Sequence, residues 1–265
     1  MDPYRKNNQA LWNEWTRINA ASTMYRLDEF IAGENKLNPL EISEVGPVAG
    51  RSLLHLQCHF GMDTLSWARL GANVTGVDFS DEAIRLAQQL GQQTGLPGRF
   101  ICCDLYDLPQ HLTETFDIVY TSYGVLSWLP DLPNWAKLAA RYLKPGGIFY
   151  IAEFHPLSMM LDETAEQPVL RYPYFKEGPV EFAVQGSYAD PTAECAVKTE
   201  YDWFYTLEGV ITSLLAAGLK LEFVHEFPYT VYPQLPYLVR GEDGYWHMPP
   251  HQPALPLLFS IRAQK

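Results

Sequence analysis

Two carboxylates follow short apolar runs, at positions where each can hold part of a nucleoside. Asp78 closes the run NVTGV, and Asp104 closes the run RFICC. A carboxylate at the end of a strand can accept hydrogen bonds from both ribose hydroxyls. A second one can accept from an adenine amino group while an apolar neighbour, here Leu105, covers the ring. Taken alone, Asp78 could equally be a residue that caps the next helix. The second acid, Asp104, favours a nucleoside site.

The stretch LLHLQCHFGMDTL, residues 53–65, predicts a strand, a tight turn and the start of a helix. That layout is typical of a nucleotide-binding loop, but Gln57 and His59 stand where small residues would let a cofactor approach. Asp78 lies 17 residues after Gly61, close to the roughly 20-residue offset of a ribose-binding acid. We predict a working variant loop. A degraded loop, or an ordinary strand–turn–helix, is the alternative.

The elements that position these residues alternate between strands and helices. Strands are predicted at 52–57, 73–77, 99–103, 116–121, 147–154, 220–227 and 256–263. Helices are predicted at 4–32, 62–70, 81–94, 132–143 and 207–217. This alternation predicts an α/β fold with a mostly parallel sheet, whose ligand lies beyond the carboxyl ends of the strands.

Four regions are expected along the chain. Residues 1–50 form an N-terminal helical cap that ends in a Gly- and Pro-rich connection at 33–50, and residues 51–155 form the cofactor-binding core. Residues 156–205 form an inserted lid and acceptor region, rich in aromatic side chains. Those aromatics suit a pocket wall, or alternatively a small satellite core. Residues 206–265 supply a helix and antiparallel strands that complete the sheet.

Composition limits the partners. The chain has 265 residues and a net charge of −12, with no Lys/Arg-rich run, which disfavours nucleic acid and anionic membranes. Its apolar runs are too short to span a bilayer, and MDPYRKNNQALWNEW lacks a signal-peptide core. The four cysteines form no CxxC pair and are interpreted as free thiols of a cytoplasmic protein. No metal site is predicted, and no oligomeric state is indicated.

Five stretches occur in a characteristic order: LLHLQCHFG, VTGVDFSDEAI, CCDLYDLP, FDIVYTSYGVLSWL and LKPGGIFYIAE. In this order the chain resembles the class I S-adenosylmethionine-dependent methyltransferases over about residues 50–155, and 199–264 is consistent with the family's last helix and strands. The resemblance implies a Rossmann-like, seven-stranded sheet with helices on both faces. This chain departs from the family's pattern in the first stretch. It has His55 where the family has an acid, and it has Gln57 and His59 where the family has glycines.

The resemblance also implies the cofactor and the site. The cofactor is S-adenosyl-L-methionine, and the product is S-adenosyl-L-homocysteine. The candidate cofactor-binding residues are Gln57, His59, Gly61, Asp78, Phe79, Asp104, Leu105, Ser122 and Tyr25. Tyr25 would cover the site from the N-terminal segment, or pack in the core.

Two residues are candidates for catalysis. His155 follows the fifth strand and can accept a proton from the acceptor, or hydrogen-bond the lid. Tyr123 follows the fourth strand, at the cofactor–acceptor junction of the family, where it lines the transfer channel or simply packs.

The predicted function is methyl transfer to a small-molecule acceptor by in-line displacement, in which binding places the acceptor behind the methyl group. The chain has SYGV after the fourth strand, in place of the family's nucleic-acid amino-methylating signature. Two other functions stay open. One is a non-catalytic S-adenosylmethionine-binding protein. The other is a nicotinamide-dependent oxidoreductase, which the absence of G-x-G-x-x-G disfavours.

Overall fold

The computed structural model describes residues 1–265. The strands in chain order are β1 (Ser52–Leu56), β2 (Asn73–Asp78), β3 (Arg99–Cys102), β4 (Phe116–Ser122), β5 (Leu143–Phe154), β6 (Pro179–Ala183), β7 (Thr199–Trp203), β8 (Lys220–Phe227), β9 (Tyr229–Thr230), β10 (Val239–Arg240), β11 (Trp246–His247) and β12 (Leu258–Gln264). The helices are α1 (Pro3–Ala21), α2 (Leu27–Ile31), α3 (Pro39–Val45), α4 (Met62–Arg69), α5 (Asp81–Thr94), α6 (Leu132–Arg141) and α7 (Leu207–Ala216). Three 3₁₀ turns lie at Leu105–Gln110, Leu126–Trp128 and Ser158–Met160.

One seven-stranded sheet organises the chain, in the order β3-β2-β1-β4-β5-β12-β8. The first five strands are parallel, whereas β12 runs antiparallel to both β5 and β8. The order along the chain reverses between β1 and β4, and ligands of open α/β sheets bind beyond such a point. The topology therefore places the site at the carboxyl ends of β1 and β4.

Both faces of the sheet are buried by helices. Leu54 of β1 belongs to the larger core, together with Trp135 of α6 and Leu214 of α7. Its neighbour Leu53 points to the opposite face, where it packs in a second core with Trp67 of α4. Side chains of successive strand residues alternate between faces, so apolar residues at consecutive positions make β1 the centre of a three-layer structure.

Side-chain caps fix where several helices begin. The side chain of Ser80 accepts from the backbone N–H of Ala83, and Asp131 and Thr206 cap α6 and α7 in the same way. Each cap satisfies a backbone donor that has no partner within the helix. Each of these helices therefore begins directly after a polar residue that caps it.

The predicted fold class is confirmed by this topology. Four details differ from the prediction. The helix expected at 132–143 ends at Arg141, and β5 begins at Leu143, because its first residue pairs with Phe116 at the beginning of β4. The connection at 33–50 contains α3, and the helix at 4–32 is divided into α1 and α2. A small sheet of β9, β10 and β11 occupies a region where no element was predicted.

None of the helices combines the length and the apolar character needed to cross a bilayer. All four cysteines are unpaired: Cys58 and Cys195 are buried, and Cys102 and Cys103 lie nearer the surface.

A buried glutamate holds the loop that follows β4. Both carboxylate oxygens of Glu153, on β5, accept backbone N–H groups of this loop, from Gly124, Val125 at 2.8 Å and Leu126 at 3.1 Å. One oxygen also accepts the N–H of Phe154 at 2.7 Å. Glu153 is only 4% exposed, and its burial raises the pKa of the carboxyl group. The loop at the switch point is therefore fixed from the neighbouring strand.

Replacing Glu153 with Gln is expected to destabilise the protein by about 1–3 kcal/mol, since an amide nitrogen would face backbone donors that then have no acceptor. Urea denaturation at neutral pH measures the change. Glu166→Gln, at an exposed position, is the control and should leave the free energy of unfolding unchanged. Equal stability of the two variants would show that Glu153 does not hold the loop.

Candidate functional site

A cavity of about 640 Å³ lies at the carboxyl ends of β1 to β4. It is walled by the sheet ends, by the N-terminal helices and by the segment 156–205. Of the predicted site residues, all but one line it. They are Tyr25, Gln57, His59, Gly61, Asp78, Phe79, Asp104, Leu105, Ser122 and Tyr123. The sequence prediction therefore selected residues that the fold brings to one place.

The loop after β1 has a glycine-like backbone without glycines at two of its positions. Gln57 and His59 have φ values of 57° and 52°, in the left-handed region. Non-glycine residues enter this region at a cost of roughly 1–2 kcal/mol each. The turn therefore keeps the shape that glycines would give it, and the missing glycines do not indicate a collapsed loop.

Gly61, at a φ of 75°, is the position where only glycine fits. A Cβ atom there would lie 2.8 Å from Cε1 of Phe100 and 2.9 Å from the Cβ of Ala87. Contacts this short require the neighbours to move. Close packing of α4 against its neighbours therefore explains why this glycine is kept.

The side chains of Gln57 and His59 are directed to separate walls of the cavity. Nε2 of Gln57 donates to the carbonyl of Val125 at 2.8 Å. The His59 ring lies 5.0 Å from that of Trp12 and 5.6 Å from that of Tyr25. Burial lowers the pKa of His59 to about 3, so its imidazole is neutral at pH 7. The remaining polar atoms, Oε1 of Gln57 and Nε2 of His59, are buried without a hydrogen-bond partner.

Asp78 joins the end of β2 to the loop after β1. Its Oδ2 accepts from the N–H of His59 at 2.8 Å, and its Oδ1 accepts from the N–H of Ser80 at 2.9 Å. Asp78 is 8% exposed, and burial raises the pKa of its carboxyl group to about 6. Each oxygen keeps a second lone pair. Asp78 can therefore fix the loop and still accept hydrogen bonds from a ligand.

Asp104 is paired with a residue of the N-terminal helix. Its Oδ2 lies 2.7 Å from Nη1 of Arg5, and its Oδ1 accepts from the N–H of Tyr106 at 2.9 Å. The Arg5 guanidinium also lies 5.2 Å from the centre of the Tyr106 ring. Burial nevertheless raises the pKa of Asp104. The acid expected at the adenine end thus also anchors α1 over the cavity.

The acid that the family has at position 55 is replaced by a neutral group. His55 is buried, its pKa is lowered to about 3 by burial, and its Nδ1 lies 2.8 Å from Oγ1 of Thr64. Two other acids lie close to one another, and of these only Asp63 lines the cavity. Asp63, in the first turn of α4, lines the cavity and has a pKa raised by burial to about 6. Glu41, on α3, is fully buried, and burial followed by the charge of Asp63 raises its pKa to about 8.

Sequence reasoning did not select Asp63 or Glu41, although each has a local signal. Asp63 lies two residues after Gly61, the glycine of the predicted turn. Glu41 completes a capping box with Asn38 across NPLE, a recognisable helix start. Glu41 accepts the N–H of Asn38 at 2.8 Å and the hydroxyl of Tyr120. This capping box, within the predicted connection at 33–50, therefore indicates the start of α3 from the sequence.

An aromatic wall closes the middle of the cavity. The rings of Trp12 and Trp128 lie 5.2 Å apart, and those of Trp15 and Tyr188 lie 5.6 Å apart. Tyr25 and Tyr188 join through their hydroxyls. Aromatic faces carry partial negative charge and attract cations. The wall therefore excludes water and favours a positively charged ligand centre.

Tyr123 sits at the turn after β4, with a φ of 43°. Its hydroxyl accepts from Nδ2 of Asn38 at 3.4 Å. Burial, followed by the charge of Glu41, raises the pKa of Tyr123 well above its ordinary value, so the phenol is neutral at pH 7. Tyr123 can therefore orient a ligand, but not take a proton from it.

His155 is the exception among the predicted residues, since it does not line the cavity. The residue is 5% exposed. Its Nε2 lies 2.8 Å from Oε1 of Glu226, on β8, and its Nδ1 accepts from the N–H of Leu157 at 3.1 Å. Both ring nitrogens are thus engaged away from the site. His155 anchors the end of β5, and the geometry does not support it as a base.

Comparison with known proteins places these features in context. Residues 54–151 match the family model described as a methyltransferase domain. The ubiquinone biosynthesis O-methyltransferases of Albidiferax ferrireducens and Chromobacterium violaceum are 31% and 29% identical over 142 and 116 residues. These matches cover 51% and 43% of this chain, and 56% and 50% of those proteins. The chain thus spans about half the length of the curated relatives it matches.

A solved structure extends the likeness to most of the fold. The S-adenosylmethionine-dependent methyltransferase from Mesorhizobium loti superposes with a TM-score of 0.62 at 21% identity. The match covers 89% of this chain and 100% of that one. At this identity the likeness establishes the fold.

The pairing of Arg5 with Asp104 makes two variants informative together. Arg5→Gln removes only the tether to α1, whereas Asp104→Ala also removes the acid expected to accept from an adenine amino group. We expect Asp104→Ala to weaken S-adenosylhomocysteine binding by about 1–3 kcal/mol, and Arg5→Gln to weaken it less. Titration calorimetry gives both values, and equal losses would reduce Asp104 to an anchor for α1.

Proposed function

Because the chain belongs, through residues 54–151, to the class I S-adenosylmethionine-dependent methyltransferase family, we propose that it transfers a methyl group from S-adenosylmethionine to a small-molecule acceptor. One observation carries the proposal. The left-handed turn at Gln57 and His59 and the buried carboxylate of Asp78 meet at a single cavity, beyond the switch point of the sheet.

The residues present suit each part of this cofactor. Asp78 would accept from the ribose hydroxyls, and Asp104 and Leu105 would border the adenine. Asp63 faces the other end of the cavity, where it would neutralise the ammonium of the methionine moiety. Gln57 and His59 line the same cavity, and their orphaned polar atoms need a polar partner.

The bound cofactor supplies an electrophilic methyl group, which a lone pair of the acceptor attacks as the carbon–sulfur bonding electrons return to sulfur. The protein's part in this step is binding and exclusion of water. Trp12, Trp128 and Tyr188 would form the apolar wall beside the positive centre. Holding the acceptor in line with the carbon–sulfur bond can supply much of the acceleration, so a dedicated base is not part of the proposal.

A small acceptor suits the enclosure of the site better than a macromolecular one. The N-terminal helices and the segment 156–205 cover the cavity, and the chain has a net charge of −12. The curated relatives are named ubiquinone biosynthesis O-methyltransferases. A small organic molecule is the class that these observations share.

The proposal predicts that the protein binds S-adenosylmethionine and S-adenosylhomocysteine in titration calorimetry but does not bind a reduced nicotinamide dinucleotide. Asp78→Asn should weaken the binding of S-adenosylmethionine and of S-adenosylhomocysteine by about 1–3 kcal/mol each, since one acceptor oxygen is replaced by a donor group. Asp28→Asn, an equal charge change at an exposed position, should leave them unchanged. Formation of S-adenosylhomocysteine with an acceptor panel then tests turnover.

Each result has a distinct meaning. Dinucleotide binding without S-adenosylmethionine binding would contradict the proposal in favour of an oxidoreductase. Tight S-adenosylmethionine binding without turnover across the panel would favour a non-catalytic binding protein. Unchanged affinity in a folded Asp78→Asn variant would remove the ribose assignment.

We also propose that residues 156–205 act as a lid together with α1. The second half of the segment is tied to that helix: Asn8 bonds both backbone groups of Tyr201, and Nε1 of Trp15 donates to the carbonyl of Gly186 at 2.8 Å. Near its outer end, the rings of Tyr172, Phe182 and Phe204 form a separate aromatic cluster. The segment therefore combines a pocket wall with a small core of its own.

Hydrogen exchange tests the lid. Exchange in 156–205 and in α1 should slow together when S-adenosylhomocysteine and an acceptor bind, and more than with S-adenosylhomocysteine alone. The helix α5 is an internal control whose far turns should not respond. Uniformly slow exchange without ligand would identify the segment as rigid scaffold.

A further inference from the structure

Two acidic side chains of β7 face the cavity in a part of it that the cofactor assignment does not use. Glu200 and Asp202 are two residues apart on one strand, so they project from the same face. Both line the cavity. The strand lies against the 3₁₀ turn at Leu126–Trp128, which follows the loop at the cofactor–acceptor junction. The pair thus belongs to the acceptor side of the site.

Neither acid has a partner. No hydrogen bond or ion pair involves either side chain, and Oδ1 of Asp202 is buried without a hydrogen-bond partner in a residue that is 8% exposed. Burial raises the pKa of Asp202 well above its ordinary value, and burial followed by the charge of Glu163 raises that of Glu200 to about 7. A buried carboxylate without compensation is costly, so the pair is incomplete as it stands.

The basic residues of the cavity are engaged elsewhere. Arg5 pairs with Asp104, Arg26 with Glu29, and Lys36 with Glu29 and Glu34. Arg240 is exposed and donates to the carbonyl of Gly244. None of these basic side chains forms an ion pair or a hydrogen bond with Glu200 or Asp202.

The backbone holds the two acids in place. Asn8 of α1 donates to the carbonyl of Tyr201 at 2.7 Å and accepts its N–H at 3.0 Å, between the two acids. Asn7 donates to the carbonyl of Thr199 at 2.7 Å, and β6 pairs along the other edge of β7. These bonds fix the backbone positions from which the buried Asp202 and the half-buried Glu200 project.

The surroundings indicate what kind of cation would complete the pair. Trp203, Phe204 and Tyr232 line the same cavity, and no group of three or more metal-ligating side chains exists in the chain. A hard divalent ion needs six or more oxygen ligands, whereas an organic ammonium needs a carboxylate and apolar or aromatic surface for its carbon skeleton.

We propose that the methyl acceptor carries a protonated amine, which binds between Glu200 and Asp202. The inference rests on the proposed function and specifies its substrate class. The ammonium group anchors the acceptor, and the atom that receives the methyl group is a separate question. Placing a cation here satisfies the orphaned oxygen of Asp202 and neutralises the like-charged pair.

Matched probes test the proposal in the protein loaded with S-adenosylhomocysteine. Primary amines, among them n-butylamine, tyramine and tryptamine, are compared with neutral counterparts of matching skeleton, here 1-butanol, 4-ethylphenol and 3-ethylindole. Calorimetry or competition is expected to show at least one amine bound about tenfold or more tighter than its counterpart. Asp202→Asn and Glu200→Gln should each remove most of this preference. Glu181→Gln, an exposed acid on β6, should retain it.

Cofactor binding provides the second measurement. Both variants should bind S-adenosylmethionine and S-adenosylhomocysteine as the natural chain does, and both should gain thermal stability without ligand because an unpaired buried acid is removed. A selective loss of S-adenosylmethionine affinity would overturn the proposal and assign the acids to the sulfonium. So would a panel in which no amine exceeds its neutral counterpart. Failure of the natural chain to bind S-adenosylmethionine would instead refute the proposed function.

Discussion

The hydrogen bond from the His59 backbone to Asp78 connects the two strand ends that define the site. It holds a residue in the left-handed region that a histidine does not favour by itself, and it places the carboxylate beside the turn. Gln57 is fixed in the same region, with its side chain bonded to the carbonyl of Val125. The neighbouring loop is in turn held by Glu153. The cavity depends on these bonds between adjacent strands.

A second property of the cavity is its acidic wall. Burial raises the pKa values of the lining acids Asp63, Asp78 and Glu200 to about 6, 6 and 7, and it raises that of Asp202 well above its ordinary value. Each of these carboxyl groups loses its hydration on burial, and none forms an ion pair with a cationic side chain of the protein. A ligand with positive charge relieves that penalty. The proposed donor, a sulfonium with an ammonium group, and the proposed amine acceptor are both of this kind.

The helix α1 brings the cofactor side and the acceptor side together. Arg5 reaches Asp104 at the sheet end, Asn8 fixes β7, and Trp12 packs against the His59 ring. These contacts lie on successive turns of one helix, so a displacement of α1 would alter both halves of the cavity.

The sequence by itself determined the order of strands and helices, and it placed Asp78 and Asp104 at strand ends, because periodicity and capping are local properties of the chain. It could not show that Arg5 pairs with Asp104, 99 residues away, or that His155 faces away from the cavity. Nor could it show that Asp202 is buried without a partner. Such facts depend on which distant segments pack together, and only the tertiary structure decides that.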